Sequence, residues 1–274
     1  MNALMRLADA HRPPRLRDLR GRQRRQRAVW LPGGCVPGST SRAVQENQPL
    51  YQSLVGWGIE PPPSFKKRWT QQYWRWLRSL GFEASSRQFT FTEHLLAVLQ
   101  ADERVARSDE ELKRAVACSP HAGLIEALQA LRGFQVISAA SVVAELGAPG
   151  RFLRPRPLMG YSGLAIQESS SGPRTRRGHI TRTGNAHLRR ILVEAAWHYR
   201  FTPRPSPALA GRRSHLPIQF TLIAEQAEQR LSRRFRRLVL RNHKLPQVAA
   251  VAVARELSGF IWSIIQTQQS TEAA

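Results

Sequence analysis

The stretch that decides the fold runs FLRPRPLMGYSGLAIQESSSGPRTRRGHITRTGNAHLRRILVEAAWHYR, from Phe152 to Arg200. In its second half Leu188, Leu192, Ala195 and Ala196 recur at helical spacing, which predicts an amphipathic helix. Thr183-Gly184-Asn185 stands directly before it and supplies a side-chain cap for the first turn. Upstream, Ser169, Ser170 and Ser171 abut Gly172-Pro173, a pair that predicts a turn or loop. Arg174, Arg176, Arg177, Arg182, Arg189 and Arg190 follow, and no acid intervenes between Glu168 and Glu194.

That pattern suits attack on a phosphodiester. An exposed serine beside a glycine can approach a phosphate closely. Arginines neutralise charge that develops on the phosphate oxygens, and a helix N-terminus near Asn185 offers amides to the same group. No His or Asp adjoins the serines as a general base. By spacing alone, the segment reads first as a solvated Ser/Gly loop beside a basic, DNA-binding face.

The whole chain shares this charge. Its 274 residues hold 42 Lys and Arg against 19 Asp and Glu, a formal charge of +23. Such an excess points to a polyanion, because each neutralised phosphate releases counterions. The bases are mostly arginine, which grips phosphate with two parallel donors. Cys35 and Cys118 are too few for a disulfide framework or a cysteine zinc site, and fit a reducing cytoplasm. Histidines 179, 187, 198 and 215 lack metal-ligand spacing and read as structural or DNA-facing. The apolar segment from Val248 to Ile265 carries Arg255 and Glu256 at its centre, as a packed helix would and a membrane span would not.

Outward from the serine segment the pattern is helical. Ser119-Pro120 reads as the start of a helix burying Leu124, Ile125, Leu128 and Leu131. A second helix from Ser138 stops at Gly147. The two, around Gly133, look like a helix-hairpin-helix, although Gln135 stands where a second glycine is usual, and phosphate contact there is left open. Phe65, Trp69, Tyr73 and Trp76 lie at helical spacing, as a core stripe or, less readily, as a stacking platform for bases. Thr90 with Glu93 and Ser108 with Glu111 fit capping boxes, so a helix from Thr90 is expected to break or kink near Ser108. Leu95, Leu99, Val105, Leu112 and Val116 give that arm a coiled-coil look. Nine arginines between Arg6 and Arg27, then a Gly/Pro/Ser/Thr stretch, predict disorder over roughly the first 50 residues. That segment is either a basic arm for DNA or an extension without a role. The expected organisation is a mainly α protein: a disordered 1–53, an arm over 54–118, a helical domain over 119–268 and a tail over 269–274.

The Phe152–Trp197 segment resembles the C-terminal domain of the insertion-sequence 110 family of transposases, relatives of the Piv invertases. The residues that carry the resemblance are Phe152, Pro155, Leu158, Tyr161, Gly163-Leu164, Ser170-Ser171-Gly172, Gly178, Ile180 through Asn185, His187 through Arg190, and Leu192 through Trp197. It extends back to about Leu54 and forward through Arg230–Leu238 and Val248–Leu257. Ser169, Pro173 and Arg154 depart from the family pattern, Arg154 replacing a serine that caps a helix.

The resemblance implies a helical, helix-hairpin-helix-like transposase domain. In it Ser170, with Ser171 as the near alternative, attacks DNA to form a phosphoserine link. Thr181, Arg182, Thr183, Asn185, Arg189, Arg190 and Arg174, Arg176 and Arg177 are then its nucleic-acid-binding residues. It also implies a RuvC-like domain with four acidic ligands for Mg²⁺. Residues 1–50 hold only Asp9, Asp18 and Glu46, so no Mg²⁺ or other cofactor is expected to bind this chain itself. A chain truncated in this way is expected to be inactive alone. DNA, possible recognition of a guide RNA from the element, a homo-oligomer or RuvC-like partner half, no membrane, and a nucleoid-associated cytoplasmic location complete the expectations. The alternative is a non-enzymatic DNA- or RNA-binding inhibitor of intact transposase. A generic basic nucleoid protein accounts for the charge but not for the serine–arginine–TGN motif.

Overall fold

The computed structural model describes residues 37–65, 68–171 and 174–272, with side chains outside 37–46 and 169–177. The fold is mainly α, as expected, with one two-stranded sheet among the described residues. Two compact units divide between Leu112 and Lys113.

The first unit contains α1 (Pro37–Gly56), α2 (Gln71–Ser79) and α3 (Ser85–Ala117) as far as Leu112. The expected disorder of residues 1–53 falls largely outside the described residues, but 37–53 are helical. Leu50 and Leu54 explain the difference, since both are buried with Tyr73, Leu77, Phe91 and Val98. Tertiary burial of this kind overrides a weak local pattern.

The aromatic stripe is core, but only half of it is helix. Trp69 adopts a left-handed backbone, φ 62°, and α2 starts after Thr70, whose hydroxyl accepts from the Tyr73 amide at 3.3 Å. Phe65 and Trp69 still reach the helix as edge-on ring contacts to Tyr73, at 6.4 and 5.3 Å. Neither expected capping box in the arm forms. Thr90 and Ser108 sit inside the unbroken α3 and donate back to the Ser86 and Arg104 carbonyls. Hydroxyls in mid-helix use this local bond when the flanking sequence keeps the helix going.

The second unit contains α4 (Ala122–Leu128), α5 (Val136–Leu146), α6 (Pro155–Tyr161), β1 (Ile166–Ser171) and β2 (Arg174–Ile180). These lead to α7 (Ala186–Trp197), α8 (Pro207–Ser214), α9 (Ile218–Arg236) and α10 (Pro246–Glu272), with a π-turn at Arg237–Arg241. α4 starts two residues later than expected, because Ser119 uses its hydroxyl to accept from the His121 amide. α6 begins after Arg154, which makes no side-chain cap, in line with its departure from the family serine.

Helix α10 is the axle of this unit and packs on α4, α6, α7 and α9. Its length and hydropathy would suffice to cross a membrane. Here Ala249, Val253, Leu257, Ile261 and Ile264 are instead spent on the core. The helix continues to Glu272, so the expected tail from 269 is helical over its described part.

Candidate nucleic-acid interface

The serines do not lie on a loop. They end β1, which pairs antiparallel with β2 in the register Glu168–Arg177, Ser169–Arg176, Ser170–Thr175 and Ser171–Arg174. The expected Gly172-Pro173 turn lies outside the described residues. Mutual ladder bonds are what hold such a polar, low-propensity segment extended. No alternation of apolar residues in the sequence signals it.

The hairpin is anchored where it leaves the helices. Thr181 and Arg182 donate their amides to the Ala165 and Gly163 carbonyls, at 2.9 and 3.1 Å. Gly163 has φ 69°, and a Cβ there would fall 2.7 Å from the Thr183 carbonyl oxygen. The Arg189 guanidinium fills the space beside it, donating to the Ser162 and Arg182 carbonyls at 3.1 and 3.2 Å. One of the expected nucleic-acid contacts is therefore occupied in bracing the hairpin base.

Asn185 ties three elements together. Its side-chain oxygen accepts from the Leu188 amide at 2.9 Å, capping α7. Its backbone amide donates to the Tyr161 carbonyl at 2.8 Å, at the end of α6. Its side-chain nitrogen donates to the Glu145 carboxylate, at the end of α5. Glu145 is mostly buried and holds His187 Nδ1 at 2.8 Å with its other oxygen. Tyr161 donates its hydroxyl to the Glu145 carbonyl at 2.9 Å. Asn185 thus serves as an internal knot, and the Leu188 amide that could have met a phosphate is already bonded. Glu145 was missed by the sequence reading, because nothing local to the AELG turn marks it as the partner of a residue 40 positions away.

Asn185→Ala removes the cap and one partner of a buried carboxylate. It is expected to lower stability by about 1–2 kcal/mol. Urea unfolding followed by circular dichroism measures this, and an unchanged midpoint would mean that the knot carries no weight. Asn185→Asp keeps the cap acceptor but faces Glu145 with a second carboxylate, so it should rescue little.

The remaining expected site residues are more open. Arg182, Thr183 and Arg190 are exposed around the knot, and Thr181 is half-buried. His179 and Arg182 line a hollow of about 420 Å³ under the hairpin base, together with Ile166, Ile180 and Arg255.

The turn between α4 and α5 is built for packing. Gly133 has φ 87°, and a Cβ there would meet Ala195 backbone atoms at 2.8 and 2.9 Å, so the glycine serves close packing against α7. The Gln135 amide donates to the Ser138 hydroxyl at 2.8 Å in a capping box. The neighbouring carbonyls are already taken: Arg212 bonds those of Gln129 and Phe134, and Arg213 that of Ala130. Arg213 continues to Glu228 at 3.0 Å, and Arg132 approaches the same carboxylate at 3.2 Å. Burial beside this cluster pushes the Tyr199 hydroxyl far above the ordinary tyrosine range, with the Glu228 charge adding to the shift.

Among the described residues no three His, Cys, Asp or Glu side chains gather as a metal site. Glu145 and Glu228 are committed to His187, Asn185 and arginines.

A serine-bearing, arginine-rich hairpin is thus clamped on a helical body. Residues 125–208 match the transposase IS116/IS110/IS902 family, so the chain carries a domain of that family. It is 37% identical over 209 residues to the transposase-named protein y4qE of Sinorhizobium fredii, covering 75% of this chain and 49% of that one. It is 28% identical over 206 residues to the transposase for insertion sequence element IS1533 of Leptospira borgpetersenii, covering 73% and 58%. A shorter match, 30% over 99 residues, is to the transposase for IS1111A of Coxiella burnetii, covering 36% and 26%. The chain thus spans about half the length of the first two of these curated relatives.

Proposed function

We propose that this chain supplies the serine-bearing part of a DNA strand-cleaving and strand-joining machine that moves an insertion sequence. The observation that carries the reading is the strand register. It sets Ser170 and Ser171 across from Thr175 and Arg174 at the end of a hairpin, with Arg176 and Arg177 further along the same strand.

In the proposed step the Ser170 hydroxyl oxygen attacks a DNA phosphorus. A P–Oγ bond forms, a P–O bond to one deoxyribose breaks, and the departing sugar oxygen takes up a proton as the serine releases one to water. The number of phosphodiester-type bonds is unchanged, so attack by another sugar hydroxyl reverses the step and joins a new strand. The arginines of β2 offset the charge that grows on the phosphate oxygens. The clamp of Asn185, Glu145 and Arg189 keeps the hairpin base fixed, which preserves the geometry of attack. We place the acids that would hold Mg²⁺ in a RuvC-like domain beyond the described residues, and no step here runs through them.

The test uses purified chain, a labelled DNA carrying the element end, Mg²⁺ and a RuvC-like domain supplied in trans. The expected product is a denaturant-resistant protein–DNA adduct that Ser170→Ala abolishes and Ser171→Ala retains. The reverse pattern would move the nucleophile by one residue. DNA binding without any adduct would favour the non-enzymatic reading, a binder that interferes with intact transposase.

A further inference from the structure

Helix α9 carries Arg230, Arg233 and Arg234, and the π-turn that continues it begins with Arg237; the four are spaced i, i+3, i+4 and i+7, so all emerge on one face. Two helical turns separate the first from the last, about 10 Å along the axis. They line an open groove of about 590 Å³ whose other walls include Gln226, Gln229 and Glu256. The hollow under the hairpin base shares Arg234 and Glu256 with it, so the two adjoin at α10. Arg255 lines the hairpin end, and its Nε, closed off from solvent, has no hydrogen-bond partner among the described residues.

Among the described residues Glu256 is the one acid on either wall. Its two oxygens take different arginines: Oε2 lies 3.2 Å from Arg230 Nε and Oε1 3.1 Å from Arg234 Nε. A carboxylate bridging two guanidinium groups has the charge and two-pronged geometry of a phosphate oxygen pair. Arg233 and Arg237 are exposed, and neither has an acid partner on these walls.

We propose that this groove is a second nucleic-acid track, separate from the hairpin. It binds a sugar–phosphate backbone along α9 and leads it under the hairpin base, with Glu256 occupying a phosphate position until a backbone displaces it. Four arginines two turns deep in an open groove suit a repeating polyanion better than a small anion, which needs an enclosed pocket. The groove rests on the reading of this chain as a nucleic-acid enzyme, but it needs neither the serine nor cleavage.

The test is therefore run in the Ser170→Ala/Ser171→Ala background, where no adduct can form. Binding of a 30-base-pair DNA duplex and of an RNA hairpin is measured by fluorescence anisotropy over a salt series. Arg233→Gln/Arg237→Gln is expected to reduce the log–log salt slope by about two, since each phosphate contact contributes roughly 0.9. A matched control, Arg236→Gln/Arg200→Gln, removes the same charge off the groove walls and should leave most of the slope in place. Glu256→Gln should do the opposite of the groove arginines, tightening binding and steepening the slope by one to two. Thermal melts confirm that each variant is folded.

An equal effect of groove and control pairs on both probes would overturn the track, leaving only diffuse attraction. Weakened binding in a folded Glu256→Gln variant would overturn the phosphate-mimic role. If adducts form in the wild type while the groove pair changes nothing, the groove fails and the serine reading stands. If the groove pair loses slope and no adduct ever forms, the serine reading fails and the track stands.

Discussion

Glu228→Ala is expected to destabilise the helical domain by about 3–5 kcal/mol, the usual cost of stripping one member from a buried ion pair. Glu228 is 3% exposed and Arg213 6%. Arg213 donates one nitrogen to the Ala130 carbonyl and another to Glu228 Oε2. Arg132 shares the same carboxylate while donating to the Thr202 and Arg204 carbonyls. Without Glu228, a fully buried guanidinium and a second, largely buried one would face each other with nothing between them.

Chemical denaturation should show a shifted midpoint with an unchanged slope. The charge explanation is separable from the loss of volume. Arg213→Met/Glu228→Leu removes both charges and should recover much of the loss, because a matched apolar pair leaves no orphan ion. A drop below about 1 kcal/mol for Glu228→Ala would mean that water reaches the cluster and screens it.

This cluster also marks a limit of what the sequence discloses. Helices α7 and α10 are legible from the spacing of Leu188, Leu192, Ala195 and Ala196 and of Ala249, Val253, Leu257 and Ile261, because each face needs only its own periodicity. Arg213 gives no such sign. It sits in a run of basic residues that reads as a solvated face, and its meaning comes from contacts 15 and 83 positions away. The sequence also leaves Ser169–Ser171 without a strand signal, since ladder pairing with β2 is non-local and small polar residues are poor strand formers.

The site divides in the same way. Asn185 was legible as a cap because the cap bond runs to Leu188, three residues on. Its partner Glu145 was not, and neither was the bracing role of Arg189 on carbonyls formed by two other segments. Trp69 shows the converse. Helical spacing put it in register with Tyr73, and the contact exists, yet the backbone reaches it through a left-handed turn. Helical spacing there identifies the neighbouring side chains but not the backbone path that brings them together.

Gly184→Ala should strike stability and strand chemistry together. Gly184 has φ 124°, a backbone region that alanine enters at a cost of about 1–3 kcal/mol. Space is also lacking: a Cβ would fall 2.4 Å from the Tyr161 carbonyl oxygen and 3.2 Å from that of Gly160. These are backbone atoms at the end of α6, so they cannot swing aside as a flexible side chain could. The strain therefore has to be relieved by moving the Thr183–Asn185 turn away from α6.

That movement breaks the bond from the Asn185 amide to the Tyr161 carbonyl and pulls the Asn185 side chain off Glu145. We expect a loss of about 2–4 kcal/mol in unfolding free energy, more than the strained backbone alone would cost. Because the same turn holds the root of β2, any serine-linked adduct should fall further than stability does when both are measured well below the melting midpoint. Parallel declines in the two would argue that the hairpin depends on Gly184 only through global folding. A retained adduct yield in a folded Gly184→Ala chain would show that the hairpin reaches its working geometry without the TGN knot.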